Sequence, residues 1–181
     1  EDGTPKVFPV KGNRLANVSA ENFSKIPGSP VAYWVSKNII KMFSSAVILN
    51  DMSNPRQGLA TGDNSMFLRL WFEICYNRIG FSKLSCDDFH ASSKKYAPYN
   101  KGGEFRKWYG NQEYIIKFDK NSYDILSTVG NHLPSRQFYF KESITWSFVN
   151  SSYFGVRYTP IGSVFDVGGS SVFPSGPTLK Y

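Results

Sequence analysis

The sequence predicts an α+β fold: a mixed or antiparallel sheet preceded by one N-terminal helix and carrying short helical insertions. Apolar residues recur at helical spacing early in the chain, then switch after residue 45 to short runs of β-formers, helix first and strands later. Aromatic residues make up 17% of the chain beside 15 Gly and 10 Pro, which favours strands and turns over a helix bundle. With 181 residues, 41% hydrophobic and 19% charged, the chain is long enough for one domain with a core plus a short arm.

Residues 1–28 are rich in Pro, Gly and Asn and only weakly periodic, so they read as an N-terminal arm, with the domain over 29–181. Ser29 and Pro30 open a helix over 30–44, since Ser caps well and Pro suits the first helical position. Val31, Trp34, Val35, Ile39, Met42 and Phe43 line one face of it. Val47-Ile48-Leu49 is too short for anything but a strand or a linker. Asn50 to Asn64 is a loop of residues that tolerate positive φ or bond to their own backbone, with Gly58 and Gly62 placed for tight turns.

A strand follows over 67–74, interrupted by the polar Arg69 and Glu73. Ser85, then Asp87 and Asp88, starts a helix over 86–95 that Lys94 and Lys95 close. Tyr114 to Phe118 is a strand and 123–128 a short helix or turn. Four strand-like runs complete the chain, at 138–140, 144–149, 154–158 and 164–167, separated by Ser, Asn, Gly and Pro.

Several classes are disfavoured. The longest purely apolar runs, 31–35 and 46–49, fall far below the ~20 residues that span a bilayer. Glu1-Asp2-Gly3 does not open a signal peptide, and a cytoplasmic location without a membrane partner is expected. This start without Met, and the end at Thr178-Leu179-Lys180-Tyr181, read as cuts in a longer protein. Cys75 and Cys86 lack the paired spacing of a zinc site and read as reduced thiols, so no metal is expected. Dinucleotide, phosphate-loop, nucleophile-elbow and zinc-protease motifs are all missing. His90 and His132 stand apart from any ligand pattern, and Asp87-Asp88 suit a helix's first turn, so no catalytic residue is assigned.

Charge points elsewhere. The chain has 21 Lys and Arg against 14 Asp and Glu, a net +7 that favours polyanions. More than half of this excess lies between Lys94 and Tyr123, where Lys101, Arg106 and Lys107 alternate with Tyr99, Phe105, Trp108 and Tyr109. Cations hold phosphates while planar rings stack on bases, although a solvated face over an aromatic core gives the same pattern. The Gly102-Gly103 pair permits close approach to a ligand. In the 55–64 loop, Arg56, Gln57, Thr61 and Asn64 are residue types that read base edges or hold phosphates. Asn54-Pro55 runs on into Arg56, so the base-holding Asn-Pro-Pro-Tyr motif of amino-methyltransferases is absent.

Pro55-Arg56-Gln57-Gly58-Leu59-Ala60-Thr61-Gly62-Asp63-Asn64-Ser65-Met66-Phe67-Leu68-Arg69-Leu70-Trp71 closely resembles the segment just after the catalytic domain of large adenine-specific DNA methyltransferases of bacterial phage defence, the BREX or phage growth limitation type. Ile26-Pro27-Gly28-Ser29-Pro30, Pro98-Tyr99-Asn100-Lys101-Gly102-Gly103-Glu104-Phe105 and Phe165-Asp166-Val167-Gly168-Gly169 resemble that family too, so the likeness runs from about Phe23 to Pro174. More distantly, Thr61 to Phe67 is similar to the start of target-recognition domains in fused restriction enzymes, whose later Lys/Arg-Gly segment lies near DNA; Lys101-Gly102 to Trp108 is the candidate for it.

The resemblance implies a non-catalytic, target-recognition-like DNA-binding domain of an adenine-N6 methyltransferase. S-adenosylmethionine would be used by the full-length parent and no cofactor by this chain. Arg56, Gln57, Thr61, Asn64, Lys101, Arg106 and Lys107 are the residues expected to face DNA, with Trp108 stacking or buried. Expected partners are double-stranded DNA, the upstream methyltransferase domain and other defence-system proteins. A restriction-endonuclease subunit and a protein-interaction module stand as alternatives, the first weakened by the lack of a metal-binding acidic cluster or phosphate loop.

Overall fold

Ser36, rather than Ser29, caps the first helix. In the computed structural model, which describes residues 20–31, 35–151 and 153–174, α1 spans Lys37–Ser45 and the Ser36 hydroxyl accepts from the Ile39 N–H. Gly28 and Ser29 both adopt left-handed φ, 84° and 46°, so they form a turn where the sequence predicts a helix start. The expected 30–44 helix is thus corrected to a shorter one beginning seven residues later, and Trp34 lies outside the described residues, as do positions 1–19 of the arm. Ile39, Met42 and Phe43 on α1 are exposed.

Residues 1–48 and 49–181 form two separate units. Val47-Ile48-Leu49 is no strand: α2, Leu49–Met52, opens the second unit. It leads into β1 (Ser53–Arg56), after which come α3 (Asn64–Phe67), β2 (Leu68–Leu70), α4 (Cys86–His90), β3 (Tyr96–Asn100), β4 (Tyr114–Lys117) and α5 (Lys120–Leu126). The remaining strands are β5 (Ser143–Trp146), β6 (Val156–Thr159), β7 (Val164–Phe165) and β8 (Ser171–Pro174).

Two four-stranded sheets result. One, in the order β1-β8-β5-β6, is antiparallel throughout. The other, β2-β4-β3-β7, is antiparallel except for the β3–β7 pair, so the second unit is α+β with mixed and antiparallel pairing, as the sequence predicts. Among the described residues no helix is long and apolar enough to cross a membrane.

The core is aromatic. Phe67, Phe89, Tyr99, Phe118, Tyr139, Phe140, Phe165 and Phe173 pack with Leu59, Ile116, Leu126 and Val164. Phe89 stacks on Phe140 at 5.7 Å, and Phe118 meets Phe140 edge-on at 5.9 Å. His90 belongs to this packing, stacked on Phe118 with Nε2 3.0 Å from the Phe118 carbonyl. Ser85 caps α4 by accepting from the Asp88 N–H, and the Asp88 carboxylate pairs with Lys83 at 3.0 Å, so the acidic pair plays the first-turn role expected of it.

Several strand expectations need correction. The strand over 67–74 shrinks to β2, because Asp63 caps a one-turn helix into Phe67 and a 3-10 turn begins at Trp71. Residues 138–140 are not a strand: Ser135 and Phe140 take φ of 59° and 67°, and a 3-10 turn occupies Arg136–Phe138. The expected 86–95 helix is shortened: α4 stops at His90 with Ala91 as its C-cap, and Lys95 N–H donates to the Arg78 carbonyl as the chain enters β3. Strands β1, β3 and β8 go against the sequence pattern, because each contains Pro, which argues against a strand. β1 is an edge strand, where Pro55 is tolerated. In β3 the Tyr96 and Asn100 carbonyls accept from Gly80 and Asp166, away from β4. Pro98 shares their alternation, so its missing N–H costs no bond to β4.

Candidate nucleic-acid interface

Three segments converge on the stretch 165–170. Leu59 N–H donates to the Phe165 carbonyl at 3.0 Å and Val167 N–H returns to Leu59 at 2.9 Å. Asp166 N–H donates to Asn100 at 3.0 Å, while Phe148 and Trp146 N–H groups donate to Gly168 and Ser170. The Tyr99 hydroxyl lies 2.9 Å from Asp166 Oδ1 and 3.2 Å from the Leu59 carbonyl, tying the first two segments together. Both sequence-predicted loops are therefore mounted on one turn.

Glycine makes this possible. A Cβ on Gly58 would sit 2.2 Å from the Phe165 carbonyl oxygen, and one on Gly102 1.9 Å from that of Gly168. The sequence assigned Gly102-Gly103 to approach of a ligand. Instead Gly102 abuts Gly168, and Gly103 exchanges bonds with Ser147: its N–H donates to the hydroxyl at 3.2 Å and its carbonyl accepts from it at 2.8 Å.

In the first loop, Arg56 and Gln57 are exposed, and the Arg56 guanidinium lies 5.1 Å from the Phe138 ring centroid. Thr61 is buried and donates its hydroxyl to Asn64 Oδ1 at 2.7 Å, so these two residues shape the entry to α3 together. The cap itself is Asp63, accepting from Met66 N–H at 3.1 Å; bonds from Ser65 and Met66 hold its carboxyl below the usual carboxylate range. Asn64 is exposed, with its Oδ1 taken by Thr61.

In the second loop, Lys101 reaches over the Tyr114 ring at 5.1 Å and lines a cleft with Arg106, Glu104 and Glu113. The two carboxylates offset part of the charge there. Lys107 is exposed and sits 5.7 Å from the Trp108 ring and 5.9 Å from that of Phe105. Trp108 is 69% exposed, which resolves the alternative between stacking and burial against burial. Its φ is 62°, held by a bridge to Arg157 and by Tyr158 N–H donating to its carbonyl at 2.8 Å.

Sequence reasoning missed a third part. The hairpin between β5 and β6 places Phe148, Val149, Tyr153 and Phe154 in solvent, and its Gly155 abuts the Phe105 ring and the Arg106 carbonyl. Their signal was present, as apolar residues flanking Asn150-Ser151-Ser152, but the runs of β-formers place Phe148, Val149 and Phe154 inside strands that stop at Trp146 and resume at Val156. Beneath lies Arg157, 1% exposed, with Nη1 3.3 Å from the Ser147 hydroxyl and Nε and Nη2 without a partner. Among the described residues no group of three side chains could hold a metal ion.

No known family model matches the chain. It is 38% identical over 174 residues to the adenine-specific methyltransferase PglX of Lacticaseibacillus casei (strain Zhang), an alignment covering 92% of this chain and 14% of that protein. It is also 38% identical over 162 residues to the adenine-specific methyltransferase BrxX of Escherichia coli O9:H4 (strain HS), covering 89% of this chain and 13% of that protein. The chain thus spans about one seventh of the length of these relatives.

Proposed function

Because the chain is homologous to a segment of the BREX/PglX adenine-specific methyltransferases, we propose that it is a DNA-binding, target-recognising part of such an enzyme. The observation that carries this reading is the mounting of both predicted loops on the 165–170 turn, with Arg56, Gln57, Asn64, Lys107 and Trp108 exposed. Cations from Lys101, Arg106 and Lys107 would position the duplex, the amide of Gln57 suits an adenine edge, and Asn64, its Oδ1 taken by Thr61, offers its Nδ2 as a donor. Methyl transfer falls to the remainder of the protein. Among the described residues, the glycine turn before α3 leads into a helix of four residues and the β3–β7 parallel pair is two residues long, which supports placing S-adenosylmethionine outside them.

Salt dependence tests the reading. If about 4 to 6 phosphates are contacted, log affinity for duplex DNA falls with log salt at a slope of roughly −4 to −5. Replacing Lys101, Arg106 and Lys107 together with Ala should flatten that slope by about 2 to 3 without unfolding the chain. An unchanged slope in the folded triple variant would refute this face as the DNA contact.

A further inference from the structure

The surface made by the β5–β6 hairpin and the 103–109 loop is unusual in what it leaves in water. Phe148, Val149, Tyr153 and Phe154 are each at least 70% exposed, and residues 147–155 contain no charge. Trp108 bridges by its backbone to Arg157, where the hairpin re-enters β6, in a left-handed conformation that an aromatic residue disfavours, and its side chain is exposed. The two segments are locked to each other: Ser147 clasps Gly103, Phe105 and Tyr153 rings meet at 6.3 Å, and Gly155 packs on Phe105.

We propose that this surface is a stacking platform for bases displaced from a DNA duplex, with their phosphates held by Lys101, Arg106 and Lys107. The proposal rests on the DNA-binding reading above and adds to it where the duplex is opened and which side chains take the bases. Charge placement selects nucleic acid over a protein partner. Lys107 Nζ lies within 6 Å of both the Phe105 and Trp108 rings, whereas the centre of a protein interface is depleted of Lys. Alternating cations and rings is the arrangement that binds unpaired strands. Arg157 adds a buried positive charge directly beneath, with two of its nitrogens unpartnered.

The test compares binding of the chain to a perfect duplex and to the same duplex carrying a three-nucleotide mismatched bubble, at one salt concentration. Unstacking a base step costs a few kcal/mol, so the bubble should bind tighter by on the order of tenfold or more. In the variant Phe148→Ser with Phe154→Ser, whose altered side chains are exposed, the preference should vanish while the melting temperature and the salt slope stay unchanged. Equal binding of both DNAs by the unaltered chain, or a preference that survives in the variant, overturns the platform but leaves duplex binding standing. Failure to bind either DNA overturns both.

Discussion

Arg157→Met should stabilise the fold and weaken DNA binding together. The guanidinium is 1% exposed and makes one 3.3 Å bond, to Ser147, leaving Nε and Nη2 unpartnered. Burial pulls its pKa below the ordinary range and Glu113 pushes it back, yet an arginine stays charged at neutral pH. Losing a long hydrogen bond to a hydroxyl costs about 1 kcal/mol. Removing a buried charge that no hydrogen-bonded acid neutralises, and that only the Coulombic pull of Glu113 offsets, returns more than that bond is worth, and Met keeps an unbranched stem in the space. The net expectation is a gain of about 1–3 kcal/mol, or roughly 3–10 °C in Tm for a unit of this size. Urea unfolding and calorimetry measure the stability, and duplex titration at fixed salt measures the affinity. A loss of more than about 2 kcal/mol would refute the reasoning, because it would mean that the charge is compensated in the folded protein.

Gly102→Ala would place a Cβ 1.9 Å from the Gly168 carbonyl oxygen, so the 101–109 loop should detach, with faster amide exchange at Gly103 and a loss of about 2 kcal/mol or more. In a full-length enzyme carrying this segment, Gln57→Ala should shift which adenines are methylated at unchanged protein level, read by sequencing modified bases; an unchanged preference would remove Gln57 from the reading surface. Burial pushes the Cys86 thiol up to about 11, whereas Cys75 is exposed, so alkylation at pH 8 should label Cys75 first and Cys86 only as the pH nears that value. Asp63 is held below its usual range by hydrogen bonds to its charged form, so its stabilising contribution is present at neutral pH and lost as acid protonates it. Asp63→Asn should flatten the acid limb of a stability–pH curve while keeping the cap.

The α+β class and the capped helices were legible because their causes are local: Ser85 stands three residues before the N–H that it caps. Strands β5 and β6 were legible from their β-formers, though not their ends, because the turn chemistry at Asn150 competes with aromatics that favour strands. β1 and β3 were hidden by Pro55 and Pro98, whose tolerance depends on which neighbour lies on which side. Trp108 shows the same limit within the site. Its residue type favours burial, and only the pairing of its backbone with β6 turns it outward. The cationic loop itself was readable from charge spacing, because Lys and Arg stay on the surface whatever the topology.

The turn at 165–170 also sets how this region can change over evolutionary time. Gly58 and Gly102 each lie against a carbonyl of that turn, and Phe148 hangs from it by its own N–H. A loop exchanged alone between two such proteins would arrive with a backbone shaped for a different anchor, and one mismatched Cβ there is enough to push it off. The smallest exchangeable cassette is therefore discontinuous in sequence, taking in 58–64, 101–109, 147–155 and the turn together. Drift by single substitutions is confined to the outward side chains, Arg56, Gln57, Lys107 and the hairpin aromatics, where a new residue alters the surface without disturbing its mount.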